Sequence, residues 1–182
     1  MHQLRKIATT AANLAVLILV VTGCSNGETK AVPELPERIC WDVFASKDLV
    51  PFLPAGEKVT LSSRPFVLDE DLDSTTCSLD IDGRTQFQAS ARYETFEQGI
   101  DWSSYEKVDP DPINLGRKGI IWHNGAVSYI ACEPSKSPST PGKYIEVNLH
   151  TFDRPDNPEP RKALPALLKQ FVAFAQRELN CE

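Results

Sequence analysis

Five cysteines are spread over the 182 residues of this chain, and the first of them directly follows the pattern of an export signal. Arg5 and Lys6 give this signal a positive start, Leu14 to Val21 is an unbroken apolar run, and Thr22-Gly23 supplies the small residues of a cleavage point. Exported chains meet an oxidising environment, in which dispersed cysteines pair as disulfides. We therefore expect two disulfides among the four cysteines beyond Cys24.

Cys24 resembles the lipid-modified cysteine of a bacterial lipoprotein, because it ends the sequence Leu-Val-Val-Thr-Gly-Cys. Two other interpretations of the N-terminus stay open. An uncleaved transmembrane helix would need about 20 apolar residues, and the run is shorter than that. An ordinary signal peptide with a coincidental cysteine is the second alternative. The motif favours lipidation of Cys24 and a location on the extracytoplasmic face of the cell membrane.

The chain is expected to divide into a lipoprotein signal peptide (1–23), a lipid-anchored tether (24–36) and a single extracytoplasmic domain (37–182). The tether is small, polar and proline-punctuated, and the domain is long enough for its own core. A formal net charge of −6 argues against nucleic acid and against docking on anionic lipid through a basic face. We expect the membrane contact to run through acyl chains, and the domain to be a monomer without a cofactor.

Hydrophobic spacing predicts an α+β domain with an antiparallel β-sheet of about five strands, an N-terminal helix and a long C-terminal helix. The last helix is predicted over 164–179 from a wide apolar stripe, with Pro165 in its first turn. A strand is predicted over 143–152 from its alternation of apolar and polar residues. The first helix is predicted to open at Pro36, because the apolar residues that follow have helical spacing: Ile39, Cys40, Val43 and Phe44.

Side-chain parity predicts the register of two hairpins. A two-residue turn at Asn124-Gly125 would pair Trp122 with Val127 and Ile120 with Tyr129, as the Asn-Gly preference for type I′ turns anticipates. At Asp82-Gly83 a two-residue turn would place apolar side chains of the first strand opposite polar side chains of the second. A three-residue bulged loop, Ile81-Asp82-Gly83, is therefore predicted there, with Cys77 opposite Phe87 and Leu79 opposite Thr85.

The four cysteines of the domain allow three pairings. Strands 126–132 and 143–152 are expected to be antiparallel, so that a final helix crossing the sheet ends beside Cys132. Cys181 lies at the end of that helix, which makes Cys132–Cys181 the favoured pair and leaves Cys40 to bridge Cys77. This argument assumes that neighbouring strands follow chain order.

The order of these elements resembles that of small actinobacterial lipoproteins of unknown function, whose architecture looks like the PsbP-type α/β/α sandwich. The resemblance rests on the lipobox, Cys40-Trp41 in a short helix, the cysteine-bearing hairpin at Thr76-Cys77-Ser78-Leu79, residues 115–122 and the closing Leu-rich helix. Two positions depart from the family pattern. Arg38-Ile39 replaces the usual Asp-Pro, and Arg117-Lys118 stands where an acidic pair is commoner. The resemblance implies no catalytic residue.

One hairpin face is a candidate ligand or partner surface. Trp122, Tyr129, Ile120 and Val127 are expected on the same side of the sheet, where aromatic rings with polar ends could stack on a sugar or anchor a partner. The alternative, which we favour, is that this face packs in the core. Trp41 and Trp102 are also most simply core or domain-edge residues.

Metal and catalytic signals are weak. The acidic run 69–73 matches alternate positions of a calcium loop, with Asp80 at the twelfth, but Ser74 stands where glycine is needed, and a solvated loop is the favoured interpretation. His123 and His150 have no serine elbow or Cys/His pair beside them. Gly116-Arg117-Lys118-Gly119 lacks the ending of a phosphate loop. No catalytic or metal-binding residue is therefore predicted.

Two functional hypotheses of different class follow. The first is a non-enzymatic, lipid-anchored envelope protein that binds an unknown envelope protein or small molecule, since an anchor is present without an active-site motif. The second is an exported hydrolase or ligand-processing enzyme in which His123 or His150 meets an acid such as Asp101 only in the fold. A solute-capturing subunit is disfavoured, because one small domain lacks a two-lobed clamp.

Overall fold

The computed structural model describes residues 31–69, 71–97, 101–134, 136–137, 140–152 and 159–181. It is an α+β domain with a mostly antiparallel sheet and a C-terminal helix. The strands are β1 (Arg38–Ile39), β2 (Phe44–Ala45), β3 (Val59–Ser63), β4 (Ser74–Ile81), β5 (Arg84–Glu94), β6 (Asp111–Ile113), β7 (Lys118–Trp122), β8 (Gly125–Glu133) and β9 (Lys143–Thr151). The helices are α1 (Ser46–Leu49), α2 (Glu159–Glu178) and two 3₁₀ helices, Val50–Phe52 and Trp102–Val108. We call the second 3₁₀ helix the cover helix.

The main sheet has seven strands in the order β3-β4-β5-β9-β8-β7-β6, and β1 and β2 form a separate hairpin. The predicted strand count was too low, because the edge strands β3 and β6 are short and carry no clear alternation of apolar residues. The assumption that neighbouring strands follow chain order was also wrong. The last strand, β9, pairs with both β5 and β8, and so joins the two halves of the sheet.

The predicted N-terminal helix from Pro36 is wrong, because β1 and β2 form a hairpin there. Its turn, Cys40-Trp41-Asp42, has positive φ at all three residues (50°, 59° and 59°). Tertiary contacts hold this unusual backbone: Cys40 is bonded to Cys77, and the Trp41 indole donates to the carbonyl of Arg64 at 2.7 Å. The Trp41 ring also stacks on Phe171 of α2 with centroids 5.7 Å apart. These long-range contacts outweigh the local helical spacing.

The main core lies between one face of the sheet, the inner face, and α2. Ile145, Val147 and Leu149 of β9 are fully buried against Leu164, Leu168 and Phe171 of the helix. The helix begins at Glu159, earlier than predicted, so Pro165 lies inside it and not in its first turn. It ends with Asn180 at φ 52° and a bond from the Cys181 amide to the Gln176 carbonyl, the arrangement of a Schellman cap.

The β4–β5 hairpin needs one extra residue, as parity predicted, but not in the turn. Asp82 and Gly83 have φ of 51° and 76°, which makes a two-residue type I′ turn. The register then shifts beyond Leu79, where Gln86 is the extra residue of a β-bulge. The predicted partners are therefore corrected: Leu79 faces Phe87, and Cys77 faces Ala89.

The β7–β8 turn lies one residue earlier than predicted, at His123-Asn124, so that Trp122 faces Gly125 and Ile120 faces Val127. The residues with positive φ do not include His123, Asn124 or Gly125, so a type I′ turn does not form. Asn124 holds the turn, because its side-chain amide donates to the Thr151 carbonyl at 3.1 Å and its own carbonyl accepts from the Thr151 amide at 2.8 Å. Gly125 gives room for the indole of Trp122.

Two disulfides join the layers. Cys40 is bonded to Cys77, linking the β1–β2 turn to β4, and Cys132 is bonded to Cys181, linking β8 to the end of α2. These are the pairs that the sequence favoured. Within the described part of the chain, no helix combines the length and apolarity that crossing a bilayer requires.

Candidate functional site

The predicted aromatic face does not lie open to a ligand. Ile120, Trp122, Val127 and Tyr129 do share one side of the hairpin, but their exposed fractions are only 0–7%. The cover helix lies over them and packs Trp102, Tyr105 and Val108 against Ile120, Trp122 and Val127. Stacking of a sugar on Trp122 or Tyr129 is therefore excluded in this conformation, and the packing alternative is correct. Trp41 is half-buried at the edge of the main core, and Trp102 is half-buried against Tyr129 and Tyr144 on the other side of the sheet.

The acidic run forms a local turn. The Asp69 carboxylate accepts from the backbone amides of Asp71 and Leu72 at 2.9 and 2.8 Å. Asp80 lies in β4, and Glu70 lies outside the described residues. Among the described residues, no group of three or more histidine, cysteine or acidic side chains is placed to hold a metal ion. Cys24, the predicted lipidation site, also lies outside the described residues.

The two histidines are neighbours at one end of the sheet. Burial lowers the pKa of His150, and the nearby His123 lowers it further. The Nε2 of His150 lies 3.4 Å from the side-chain amide of Asn124, and its ring meets Phe152 edge-on with centroids 4.6 Å apart. Asp101 is not brought to either histidine. Its carboxylate caps the cover helix by accepting from the amide and hydroxyl of Ser103, and these bonds lower its pKa.

The side of the sheet opposite α2 divides into two parts. The cover helix lies over β7 and β8, whereas the outward side chains of β4 and β5 are exposed or half-buried. We call these side chains of β4 and β5, with the adjoining side chains of β9, the polar face. Strand register places its members side by side: Ser74, Thr76 and Ser78 on β4, Gln88, Ser90, Arg92 and Glu94 on β5, and Glu146, Asn148 and His150 on β9.

Short polar side chains dominate this face. Thr76, Ser90 and Asn148 form one row across three strands, and Ser78, Gln88 and His150 form the next. These six side chains are half-buried. Any polar residues suffice on a sheet face that only contacts water. Hydroxyl and amide side chains arranged in rows additionally offer hydrogen-bond donors and acceptors at fixed spacing. The arrangement is therefore capable of binding a ligand through several hydrogen bonds.

A buried acid lies at the border between the polar face and the cover helix. Glu146 is 7% exposed, and its carboxylate lies 3.7 Å from the Arg92 guanidinium, which also pairs with Glu94 at 3.2 Å. Burial raises the pKa of Glu146. Arg92 opposes this rise, Glu94 adds to it, and a hydrogen bond with the Tyr105 hydroxyl opposes it.

Tyr105 connects the cover helix to this acid. Its hydroxyl accepts from the Asn148 amide at 2.9 Å and hydrogen-bonds with Glu146. Burial, with the negative charge of Glu146 as the second cause, raises the pKa of Tyr105 to about 12. Its ring lies 5.2 Å from that of Trp122. The phenol therefore stays protonated at physiological pH, and its hydrogen bonds hold Asn148 and Glu146 at the border of the polar face.

A second phenol and a cation of the sheet, Tyr129 of β8 and Lys118 of β7, contact Trp102 of the cover helix. Tyr129 donates to the Glu97 carboxylate, and burial, followed by that acid, raises the pKa of Tyr129. The ammonium of Lys118 lies over the Trp102 ring, 4.2 Å from its centroid, in a cation–π contact. The cover helix is thus fixed to the sheet on both sides.

Among the described residues, groups whose pKa is displaced from its ordinary range lie on the outer side of the sheet or at the cover helix: Asp101, Tyr105, Tyr129, Glu146 and His150. Clustering of shifted groups is typical of functional sites, although ion-pair networks also produce it. An open groove of about 630 Å³ lies beyond the end of this face, beside Arg84 and Phe152.

Sequence reasoning did not single out this site. The alternation of Glu146, Asn148 and His150 did identify a wetter side of β9, and β4 and β5 carry similar alternations. Assembly of the three strands into one face requires the β5–β9 pairing, which chain order does not suggest.

Comparison with known proteins gives no match. No family model, no curated protein and no solved structure is significantly similar to this chain. The fold and the site define a class of protein: a disulfide-linked α+β domain whose main core is covered by α2 and whose opposite sheet side carries a partly exposed polar face.

Proposed function

We propose that this protein is a lipid-anchored component of the cell envelope that binds its ligand, without chemical conversion, on the polar face. The observation that carries this proposal is the set of half-buried hydroxyl and amide side chains in register across β4, β5 and β9. The lipid anchor at Cys24 is supported by the lipobox alone, and the PsbP-like architecture by the order of elements.

The charges of this face favour a ligand with little net charge. Arg92 is the cation among its members, and it is paired with both Glu94 and Glu146. The remaining groups are mostly neutral donors and acceptors. A single hydrogen bond contributes only about 0.5–1.5 kcal/mol, so a ligand held here needs several hydroxyl or amide groups. Glycan chains and extended peptides of the envelope have this chemistry.

The exported hydrolase is the alternative function, and His150 is its best candidate base because it lies on the same face. A hydrolytic base must be oriented by an acid and contact a nucleophile. The neighbours of His150 include Asn124, Phe152 and His123, and no acid contributes to its pKa shift. This environment supports a packing or binding role for the imidazole.

Binding is tested with the full-length chain purified in detergent. Calorimetric titration against soluble envelope glycans and peptides is performed with the wild type and two variants. Ser90→Arg fills the centre of the polar face, and Ala173→Arg adds the same side chain on the exposed surface of α2. We expect Ser90→Arg to weaken binding more than tenfold, with Ala173→Arg unchanged. Equal losses in both variants would place the ligand elsewhere.

The anchor is tested separately by cell fractionation. Cys24→Ala should release the protein from the membrane fraction, whereas unchanged retention would count against lipidation. This result bears on the location of the protein and leaves the polar face untouched.

A further inference from the structure

Asp80 carries a carboxylate oxygen that lacks a hydrogen-bond partner within the described part of the chain. Asp80 is the outward residue of β4 that follows Ser78, and it lies at the end of the polar face near the β4–β5 turn. Its Oδ1 is shielded from solvent, and none of the described groups donates to it. A buried polar atom without a partner costs free energy, so its presence in a folded protein needs a reason. An ionised carboxylate only accepts hydrogen bonds, so the missing partner is a donor.

The residues paired with Asp80 on the neighbouring strands are both threonines. Strand register places Thr60 of β3 on one side of it and Thr85 of β5 on the other. Gln86, the extra residue of the β-bulge, follows Thr85, and its side-chain amide donates to the Arg84 carbonyl at 3.2 Å. A side-chain amide has two N–H donors, and this bond uses one of them. Hydroxyl and amide groups therefore accompany a single charged acceptor.

An exposed aromatic ring lies at the same end of the polar face. The Phe152 amide donates to the Gln86 carbonyl at 3.0 Å, which puts Phe152 next to the bulge. The Phe152 ring contacts the imidazole of His150, an outward residue of β9, and Phe152 is 47% exposed. Neighbouring strands are about 4.8 Å apart, so Phe152 and Asp80 are separated by two strand spacings, roughly 10 Å. The groove of about 630 Å³ has Thr85, Gln86 and Phe152 in its wall, so a ligand seated there reaches this end of the polar face.

We propose that this end of the polar face binds a neutral saccharide, with one sugar ring against Phe152 and sugar hydroxyls donating to the Asp80 carboxylate. A pyranose ring has an apolar C–H face, which packs on an aromatic ring, and a rim of hydroxyl groups, which donate hydrogen bonds. The last side-chain torsion of aspartate is broad, so rotation of the Asp80 carboxylate brings either oxygen to a ligand. This inference rests on the proposed function and deepens it, because it selects glycan over peptide as the ligand class.

An extended peptide fits this surface less well. The strands β4, β5 and β9 each have a neighbour on both sides, so their backbone groups are used within the sheet. Extended peptides are commonly bound as an added strand at a free sheet edge, which requires unpaired backbone groups. The polar face offers side chains in their place. Side chains alone are sufficient for a saccharide, because its hydroxyl and C–H groups are recognised by acceptors, amides and aromatic rings.

Calorimetric titration of the full-length chain in detergent tests the role of Asp80, with neutral oligosaccharides of glucose, mannose and galactose as probes. Asp80→Asn keeps the size of the side chain and removes the charged acceptor, so binding should weaken about ten- to a hundredfold. Asp42→Asn is the matched control. It makes the same charge change at an exposed residue of the β1–β2 turn, whose Trp41 stacks on α2, and it should leave the affinity unchanged.

Two further measurements separate binding from folding. The melting temperature of Asp80→Asn should not fall, because a neutral amide costs less to bury than a charge. Phe152→Ala should weaken binding about three- to tenfold through loss of the ring. Its matched control is Leu72→Ala, which shortens another exposed apolar side chain, 56% exposed, and should bind as the wild type does.

Loss of affinity in both Asp80→Asn and Phe152→Ala, with both controls at the wild-type value, supports the proposal. Failure of every oligosaccharide to bind would overturn it. Oligosaccharide binding that Ser90→Arg abolishes and Asp80→Asn leaves intact would reject Asp80 but keep the polar face as the binding surface. Binding of a lysine-containing peptide in place of the oligosaccharides, weakened by Ser90→Arg, would likewise reject the saccharide and keep the proposed function.

Discussion

Removal of the Tyr105 hydroxyl tests whether Glu146 is held as a buried acid by the cover helix. Tyr105→Phe keeps the ring against Trp122 and deletes only the oxygen that contacts Glu146 and Asn148. A hydrogen bond to a charged group contributes about 1.5–3 kcal/mol, and loss of a partner leaves the buried carboxylate less satisfied. We expect a loss near 2 kcal/mol at pH 7, or roughly 4–8 °C in melting temperature for a domain of this size.

The loss should depend on pH with a defined sign. The folded-state pKa of Glu146 is raised, so its carboxyl costs stability above that pKa and this cost disappears as the pH falls toward the unfolded value. Tyr105→Phe removes a bond that favours the ionised form, so its effect should shrink as Glu146 becomes protonated. Urea unfolding at pH 7 and at about pH 4, with the disulfides intact, measures both free energies.

Tyr129→Phe is the matched control. It deletes the same oxygen, but the acid that accepts from Tyr129 is the exposed Glu97, which water can solvate after the change. Tyr129→Phe should therefore lower the free energy of unfolding by only about 0.5–1 kcal/mol, as for an ordinary hydrogen bond. Equal losses in the two variants, or a Tyr105→Phe effect that does not change with pH, would refute the account of Glu146.

Three further outcomes are expected. Pro165→Ala should raise the free energy of unfolding by about 1–3 kcal/mol, because proline inside α2 removes a backbone bond; a decrease in urea midpoint would contradict this. Loss of the disulfide in a Cys132→Ser/Cys181→Ser double variant should cost about 4 kcal/mol by loop-closure entropy, measured by thermal unfolding. His150→Gln should flatten the loss of stability that the wild type shows as pH falls below about 6.5, since the lowered pKa of His150 favours its neutral form; identical pH profiles would exclude this.

The elements that depend on local hydrophobic spacing could be predicted from the sequence. The alternation in β9 and the apolar stripe of α2 identified both elements, although α2 begins five residues earlier than predicted, and their crossing led to the Cys132–Cys181 pair. The predicted helix at Pro36 failed for a physical reason. Apolar residues at 39, 40, 43 and 44 suit a helix as well as a tight hairpin, and the hairpin is chosen by contacts with Cys77, Arg64 and Phe171, which are distant in sequence.

The candidate site was harder to predict for the same reason. Arg92 and Glu146 lie on strands far apart in the chain, and they meet only because β9 enters the sheet beside β5. Nothing local distinguishes a buried glutamate in an alternating strand from a solvated one. The aromatic hairpin face was identified correctly as one surface, but its covering by Trp102 and Tyr105 depends on a segment with no strong helical pattern.

Photo-cross-linking in intact cells tests the binding role of the polar face directly, because it captures a ligand whose identity is not yet established. A photoreactive phenylalanine analogue is placed at Ser90, and in a second variant at Ala173 on the exposed side of α2. Our account expects a discrete adduct from position 90 and none from position 173. Adducts of equal yield from both positions, or an adduct from position 173 alone, would contradict it.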